Sequence, residues 1–505
     1  MAMLAGMQGD EIMDLRSFAA AAALAVGAAA AATPVLAPPA QLGPDVQPYV
    51  HVPAGQIAIQ HLRIIDGTGA APIEDATLLI DGARISAVLP TGSAIPAGYR
   101  TLDGSGETAL PGLVGMHNHL FYLQRPNIDA AGHSEQPLII PQMTFSAPRL
   151  YLANGVTTMR TTGSVEPYTD LSLKQEIDAG HLVGPHLDVT GPYLEGPGGF
   201  FIQKHPISSP DDARREVAFW AEQGVNSFKA YMNLTRAELK AAIDEAHRHH
   251  LKLTGHLCSV TYPEAVALGI DNLEHGFFVN TQLDPGKQPD KCSDGVGTPT
   301  LLAMKPGSPQ ANALIKLLVE HHVAVTSTLP VFEQSVPLHA PLQARQMDVL
   351  TAQAKESYLF LRNLTASKAG TPQSEQFTQA YKNDLGLERQ FVAAGGLLLA
   401  GPDPTGNGGV IPGFGDQREL ELLVEAGFSP VEAVKIGTLN GATYLGIADR
   451  IGTIAAGKNA DLFIVKGNPA VDIADIEKVI VVFKDGVGYD SAKLIQSVKG
   501  RYGEY

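Results

Sequence analysis

The sequence has few cysteines and lacks a run of basic residues. Its 505 residues include two cysteines, Cys258 and Cys292, which exclude a disulfide framework and a cysteine-based zinc site. A single disulfide between them remains an open alternative, because the sequence does not show whether the two sulfur atoms meet. The net charge of −16 argues against a nucleic-acid partner, since phosphate binding requires clustered Lys and Arg.

Long apolar runs are also scarce, and the one present lies at the N-terminus. Arg16 precedes an Ala-rich run over residues 18–37, which ends in the small-x-small pattern Val35-Leu36-Ala37. We predict a signal peptide over residues 1–37 and a periplasmic or secreted protein. The acidic residues before the run favour a start at Met13, and a disordered Ala-rich tail is the alternative. No second run reaches the ~20 residues of a membrane span.

The rest of the chain has the composition of a globular protein, with 45% hydrophobic and 17% charged residues. Residues 38–53 are Pro-rich and are predicted to form a linker. Short alternating strands with Asp-Gly turns occupy residues 54–108 and return in residues 451–505. We expect these two ends to form one small composite β-sandwich.

Between them, residues 109–450 alternate apolar β-rich segments with amphipathic helical patterns, which is typical of a parallel sheet with crossover helices. Capping boxes begin three of the helices, at Thr235, Thr261 and Ser429. The predicted fold is α/β, a (β/α)8 TIM barrel with two long connections at 277–310 and 330–395. The candidate strands are 112–117, 155–160, 186–191, 225–231, 251–256, 271–276, 323–328 and 396–401.

Polar side chains stand at the carboxyl ends of several of these strands. His117 and His119 are two positions apart, so both imidazoles can point to one side of an extended chain. His256, His275 and Asp403 end or follow three other strands. The carboxyl ends of barrel strands form the catalytic face, so we predict that these residues bind metal rather than serve as ordinary buried polar groups.

Lys229 is unusual because it lies in the segment 226–231, at the end of a predicted apolar strand. Burial of a lone ammonium is costly, so one interpretation is a lysine of lowered pKa that reacts with carbon dioxide. The resulting carbamate offers two oxygens that can bridge two metal ions. A lysine paired with a carboxylate, or one that reaches solvent, is the alternative.

The chain resembles the amidohydrolase superfamily, specifically the binuclear branch with Xaa-Pro dipeptidase-like and imidazolonepropionase-like proteins. The resemblance covers about residues 56–490. It is carried by Leu110-Pro111-Gly112-Leu113-Val114-Gly115-Met116-His117-Asn118-His119, Phe228-Lys229-Ala230-Tyr231, Thr254-Gly255-His256, Glu274-His275-Gly276, Gly401-Pro402-Asp403, Thr438-Leu439-Asn440-Gly441-Ala442-Thr443-Tyr444-Leu445-Gly446 and Gly457-Lys458-Asn459-Ala460-Asp461-Leu462. Imidazolonepropionases lack the lysine, so that activity is not expected.

The resemblance implies a role for each ligand. His117, His119 and Asp403 bind the more buried metal, His256 and His275 bind the more exposed one, and a carboxylated Lys229 bridges them. The ions are divalent, with Zn²⁺ the best match to histidine and carboxylate ligands. A bridging hydroxide attacks the carbonyl carbon, and Asp403 passes its proton to the leaving nitrogen. The resemblance also favours a homo-oligomer.

Three further residues are predicted to contact substrate. Tyr231 lies two residues after Lys229 and is positioned to stabilise the developing oxyanion. Arg160 ends the second strand and is a candidate clamp for a substrate carboxylate. His205 follows a Gly-rich loop and is a candidate ligand contact. The alternatives are packing for Tyr231, a structural ion pair for Arg160 and a surface position for His205.

These expectations lead to an exported hydrolase that cleaves an amide or peptide C–N bond in a dipeptide or N-acyl amino acid. The alternatives are hydrolysis of a xenobiotic amide, carbamate or mycotoxin, a lactonase or phosphotriesterase on the same scaffold, and a metal-binding protein without catalysis. A binding protein has no need of Asp403 as a proton shuttle, which favours an enzyme.

Overall fold

The computed structural model describes residues 41–123, 139–199 and 201–504. The predicted signal peptide, with its cleavage site at Ala37 and the alternative start at Met13, lies outside the described residues.

Eighteen strands occur in the described ranges. They are β1 (Val50–Val52), β2 (Gln56–Ile64), β3 (Ile73–Asp81), β4 (Arg84–Pro90), β5 (Arg100–Asp103), β6 (Glu107–Pro111), β7 (Leu113–Gly115), β8 (Val156–Arg160), β9 (His186–Asp188), β10 (Thr190–Leu194), β11 (Ser227–Ala230), β12 (Lys252–Gly255), β13 (Asn272–Glu274), β14 (Ala324–Ser327), β15 (Leu398–Ala400), β16 (Leu462–Lys466), β17 (Val479–Lys484) and β18 (Val487–Asp490).

Fifteen α-helices accompany them in the same part of the chain. They are α1 (Ser146–Ala153), α2 (Pro167–Asp178), α3 (Pro210–Gln223), α4 (Arg236–Arg248), α5 (Tyr262–Leu268), α6 (Thr298–Ala303), α7 (Pro309–Glu320), α8 (Leu329–Glu333), α9 (Ala344–Met347), α10 (Ala352–Ser367), α11 (Pro372–Ala393), α12 (Phe414–Glu425), α13 (Pro430–Lys435), α14 (Gly441–Leu445) and α15 (Ser491–Val498). None of the described helices is long and apolar enough to cross a bilayer.

Strands from both ends of the chain form one composite layer. Hydrogen bonds join nine strands in the order β1-β18-β17-β16-β6-β2-β3-β4, with β5 also paired to β2. The layer has its own hydrophobic cluster, which includes Ile59 and Leu78 from the N-terminal part and Leu462 and Phe483 from the C-terminal part. The Asp485-Gly486 turn between β17 and β18 has positive φ at both residues, as a tight hairpin turn requires.

The ends of the composite layer differ from the sequence boundaries. Val50–Val52 falls within the predicted linker, yet it pairs with β18 as an edge strand. Residues after β18 leave the sheet, because α15 packs on α1 of the barrel and Ser491 donates a hydrogen bond to the Ala153 carbonyl. The predicted start of the barrel at residue 109 falls inside β6, which continues to Pro111.

The middle of the chain is a parallel α/β barrel. Its strands pair in the runs β7-β8-β9 and β10-β11-β12-β13-β14-β15, all parallel, and β9 and β10 are two parts of one predicted strand separated by Val189. The Met116 amide donates to the Ala400 carbonyl at 2.8 Å, which joins the first strand to the last. Each predicted barrel strand therefore has its counterpart, and the predicted capping boxes at Thr235, Thr261 and Ser429 all form.

Candidate active site

The predicted ligands lie together at one end of the barrel. His117 and His119 follow β7, Lys229 lies in β11, His256 follows β12, His275 follows β13 and Asp403 follows β15. All these strands are parallel, so their carboxyl ends meet at the same face. This placement turns six positions spread over nearly 290 residues of sequence into neighbours.

Three of these residues form a tight buried group. Ligand atoms of His117, His119 and Asp403 all lie within 4.8 Å of one another. Oδ1 of Asp403 is 3.2 Å from Nε2 of His119 and 3.7 Å from Nε2 of His117. Burial alone would raise the pKa of Asp403, but the two histidines hold it well below its usual value. The group is therefore two imidazoles around an ionised carboxylate, a donor set that suits a divalent metal ion.

Lys229 reaches the same group from β11. Its Nζ lies 3.0 Å from Nε2 of His117 and 3.3 Å from the Thr162 carbonyl oxygen. Burial lowers the pKa of Lys229 to about 8, although Asp403 and Glu274 act in the other direction. A buried amine that releases its proton this readily is a nucleophile near neutral pH.

His256 and His275 form the second half of the site. Their ring centroids are 4.4 Å apart, and burial lowers the pKa of His256 to about 3. Nδ1 of His275 lies 2.9 Å from Oγ1 of Thr328, whereas its Nε2 is buried without a hydrogen-bond partner. Burial lowers the pKa of both imidazoles, and a neutral imidazole is the form that binds a metal ion, so His275, with its unpaired nitrogen, and the adjacent His256 fit a second ion.

Backbone strain marks two of these positions. His275 has φ of +70° and Asp403 has φ of +52°, a region that non-glycine residues seldom adopt. Such strain persists where the surrounding structure fixes it, commonly at functional sites. The Asp403 amide donates to the His117 carbonyl at 3.0 Å, which ties one strained ligand to another ligand.

Beneath the ligands lies a buried ion pair that the sequence reasoning missed. Oε2 of Glu274 is 2.7 Å from Nδ1 of His117, and Oε1 accepts a 2.7 Å hydrogen bond from Arg160. Burial alone would raise the pKa of Glu274, but Arg160 and His117 hold it at about 2. A carboxylate behind a histidine fixes the tautomer and aims the other nitrogen outward, here towards Lys229 and Asp403. No clear signal for Glu274 was present in the sequence, because residues 271–276 also contain Asp271, Asn272 and His275.

A cavity of about 220 Å³ opens above the ligands. His119, Lys229, His256, His275 and Asp403 form its polar floor, and its lining also includes Tyr231. The Tyr231 ring centroid is 4.7 Å from that of His256, and burial raises the pKa of the phenol above its usual value. Tyr231 thus stands at the cavity as a protonated phenol, as its predicted role requires.

Comparison with known proteins agrees with this geometry. Residues 108–488 match the amidohydrolase family. The chain belongs to the amidohydrolase family. Members of this family generally use divalent metal ions, and the chain is a hydrolase that acts on carbon–nitrogen bonds.

Solved structures extend the likeness to nearly the whole chain. A putative prolidase from Bifidobacterium longum is 25% identical with a TM-score of 0.62, over 88% of this chain and 99% of that one. A Xaa-Pro dipeptidase with methionine bound in its active site is 21% identical with a TM-score of 0.63, over 86% and 100%. The ochratoxinase of A. niger is 18% identical with a TM-score of 0.60, over 86% and 96%. No curated protein sequence matches the chain.

Two predicted substrate residues take other positions in this amidohydrolase. Arg160 is 1% exposed and donates to the Met116 carbonyl, Asn272 and Glu274, so its guanidinium is occupied below the ligands. The expectation of a carboxylate clamp is therefore corrected, and Arg160 supports Glu274 instead. His205 is half exposed and lies 3.0 Å from Asp212 near the start of α3, outside the described lining of the cavity. Its side chain braces that helix end.

A second buried group of potential ligands joins the barrel to the composite layer. Ligand atoms of His186, Asp461 and Asp485 lie within 4.8 Å of one another. Burial alone would lower the pKa of His186, but Asp485 and Asp178 raise it, and Nζ of Lys484 is 3.4 Å from Asp485. Asp485 lies between His186 at 3.2 Å and Lys484 at 3.4 Å, so we interpret this group as a polar cluster that joins the barrel to the composite layer.

The two cysteines form a disulfide. Cys258 and Cys292 have Cα atoms 4.7 Å apart. The bridge ties the connection after β13 to the segment just beyond His256.

Proposed function

We propose that this amidohydrolase is an exported enzyme that cleaves the amide or peptide C–N bond of a dipeptide or an N-acyl amino acid. The observation that carries the proposal is the convergence of His117, His119 and Asp403 with Lys229 and the His256–His275 pair at the carboxyl face of the barrel. The similarity to the putative prolidase supports a peptide or acyl-amino-acid substrate.

The donor set fits two divalent metal ions, with Zn²⁺ the best match to its chemistry. His117, His119 and Asp403 would hold the more buried ion, and His256 and His275 the more exposed one. Lys229, carboxylated on its neutral amine, would bridge them. Two ions bound there supply Lewis-acid activation of water and of the scissile carbonyl group.

Asp403 performs the proton transfers in this proposal. It is ionised at neutral pH, because His117 and His119 hold its pKa low. Its carboxylate accepts the proton of the attacking water and then delivers it to the departing nitrogen, since an amide nitrogen leaves only when protonated. Tyr231 donates a hydrogen bond to the carbonyl oxygen as negative charge develops there.

Export is part of the proposal. The apolar run over residues 18–37 and the disulfide between Cys258 and Cys292 are both typical of a protein outside the cytosol. The test is expression with the native N-terminus, followed by cell fractionation and mass measurement. Periplasmic or secreted protein that begins at Pro38 supports export, and full-length protein retained in the cytosol contradicts it.

A second candidate is hydrolysis of a xenobiotic amide, carbamate or mycotoxin. The apolar walls of the cavity favour it, because such compounds are often neutral and aromatic. A lactonase or phosphotriesterase on this scaffold is distinguished by its leaving group. A homo-oligomer stays a prediction.

The test is a hydrolysis panel on purified, zinc-supplemented protein with and without a chelator. It contains dipeptides, including Xaa-Pro, N-acyl amino acids, aryl amides, carbamates, lactones and a phosphotriester. Chelator-sensitive cleavage of peptides or N-acyl amino acids supports the proposal. Cleavage confined to lactones or phosphotriesters contradicts it.

A further inference from the structure

Apolar walls rise on two sides of the ligand group. One wall joins Phe121, Tyr193, Phe201 and Tyr231 in a buried cluster. Its Phe121 ring stacks on His119 at 4.3 Å between centroids, so the wall begins directly at a ligand. The apolar surface therefore begins beside the ligand group.

The opposite wall comes from α8. Val331 and Phe332 line the cavity there, and the Phe332 ring centroid is 5.7 Å from that of His275. Phe332 is itself fixed by stacking on Phe278, with centroids 3.8 Å apart and the rings nearly parallel. Both halves of the site thus meet a rigid apolar face.

Charge within the described lining is confined to the catalytic floor. The charged residues of this lining are Lys229 and Asp403, and both lie within the ligand group, in contact with its histidines. Among the described lining residues, neither wall offers an Arg, Lys, Asp or Glu to pair with a charged substrate side group. An unpaired charge placed between these walls would lose its hydration without compensation.

We propose that the side groups on the two sides of the scissile bond, as distinct from the α-carboxylate that every N-acyl amino acid carries, are neutral and apolar, with aromatic rings favoured. Phe332 and the Phe121–Tyr193–Phe201–Tyr231 wall select these side groups. This inference rests on the proposed function, since it names the substrate class of the same site.

The test uses matched pairs in which a phenyl group replaces a carboxylate. On the acyl side the pair is 3-phenylpropanoyl-proline and succinyl-proline, and on the amine side it is N-acetylphenylalanine and N-acetylaspartate. We expect kcat/KM for the phenyl member to exceed that of the carboxylate member by about 100-fold in each pair. Burial of a phenyl group between apolar walls lowers the free energy, whereas burial of a carboxylate there raises it. Equal values, or a preference for the carboxylate member in either pair, would overturn the inference.

Variants assign the preference to the walls. Phe332→Ala should lower kcat/KM for the phenyl members by about 10- to 100-fold and leave the carboxylate members nearly unchanged. Phe219→Ala is the matched control, because Phe219 is 47% exposed on α3 and outside the described cavity lining. Val331→Lys places a cation in the wall and should shift the preference towards the carboxylate members. An unchanged preference in both wall variants would contradict the assignment.

A binding measurement separates this inference from the proposed function. Zinc-loaded protein is titrated by calorimetry with 4-phenylbutan-2-one and with levulinate, two ketones that differ only by phenyl against carboxylate and are not hydrolysed. Tighter binding of the phenyl ketone supports the apolar site even if no amide is cleaved, in which case the proposed reaction alone fails. Tighter or equal binding of levulinate contradicts the apolar site even if amides are cleaved.

Discussion

Replacing Glu274 by Gln should weaken metal binding and destabilise the barrel. Glu274 is fully buried between Nδ1 of His117 and the Arg160 guanidinium, each at 2.7 Å, and Thr254 also donates to it. Glutamine keeps the shape and removes the charge. The single amide oxygen of glutamine replaces two carboxylate oxygens that accept from His117, Arg160 and Thr254, so the orientation of His117 is fixed less firmly, and Arg160 is left buried without its counter-ion.

Two magnitudes follow from these contacts. Loss of a partner that orients a ligand lowers metal affinity by about 10- to 100-fold. Removal of one member of a buried ion pair costs about 3–5 kcal/mol of unfolding free energy, and both partners here are at most 1% exposed. The two effects are separated by measuring zinc affinity against a competing chelator and guanidinium unfolding on metal-free protein, where bound metal adds nothing to stability.

Glu333→Gln is the matched control. Glu333 is also buried, and it contacts Arg418 at 2.6 Å and His339 at 2.8 Å, but neither is a predicted ligand. This variant should lose stability and keep the zinc affinity of the unsubstituted protein. If Glu274→Gln also keeps that affinity, the argument that Glu274 orients His117 fails.

The remaining predictions concern catalysis, pH and the disulfide. Asp403→Asn should lower kcat by at least about 100-fold with an unchanged circular dichroism spectrum, and retention of most activity would exclude the proton shuttle. Burial raises the pKa of Asp170 to about 7. Folded protein therefore keeps a proton that the unfolded chain has released, and this residue reduces stability as pH rises from about 4 to about 7. In urea unfolding, the free energy of unfolding of Asp170→Asn should exceed that of the unsubstituted protein by up to about 4 kcal/mol near pH 8 and by almost nothing near pH 4. A difference that does not depend on pH would refute the raised pKa of Asp170. Replacing both Cys258 and Cys292 by Ser, which opens a link across 34 positions, should cost about 2–4 kcal/mol in guanidinium unfolding, and an unchanged midpoint would show that the bridge does not stabilise the fold.

The barrel and its ligand positions were predictable because local patterns specify them. Each ligand lies near the carboxyl end of a predicted strand, and parallel strands bring such ends together whatever the details of the helices between them. The capping boxes at Thr235, Thr261 and Ser429 are likewise local, since donor and acceptor are three residues apart.

The environment of Arg160 was not predictable in the same way. Its partner Glu274 is 114 positions away, and a single sequence does not show which side chains face each other across a barrel. The position of Arg160 at a strand end therefore suggested substrate contact, whereas the structure places its guanidinium beneath the ligands. The direction of His205 was not predictable either, because a loop residue after several glycines lies in no periodic pattern. In the structure its side chain contacts Asp212, outside the described lining of the cavity.

The composite layer was predictable as a pairing of both ends but not in its limits. Alternation of apolar and polar residues indicates a strand wherever one face of the sheet is buried, as in β2 and β3. Val50–Val52 is short and follows a Pro-rich segment, so nothing local distinguishes it from a linker, and only its pairing with β18 makes it a strand.

The most direct test of the account is a zinc titration of chelator-stripped protein, with 3-phenylpropanoyl-proline hydrolysis and bound zinc measured on the same samples. The account predicts no hydrolysis without metal and maximal hydrolysis at about two bound ions per chain, because both halves of the ligand group are required. Undiminished hydrolysis in metal-free protein, or no amide hydrolysis in protein that carries two ions and still cleaves a lactone or phosphotriester, would contradict it.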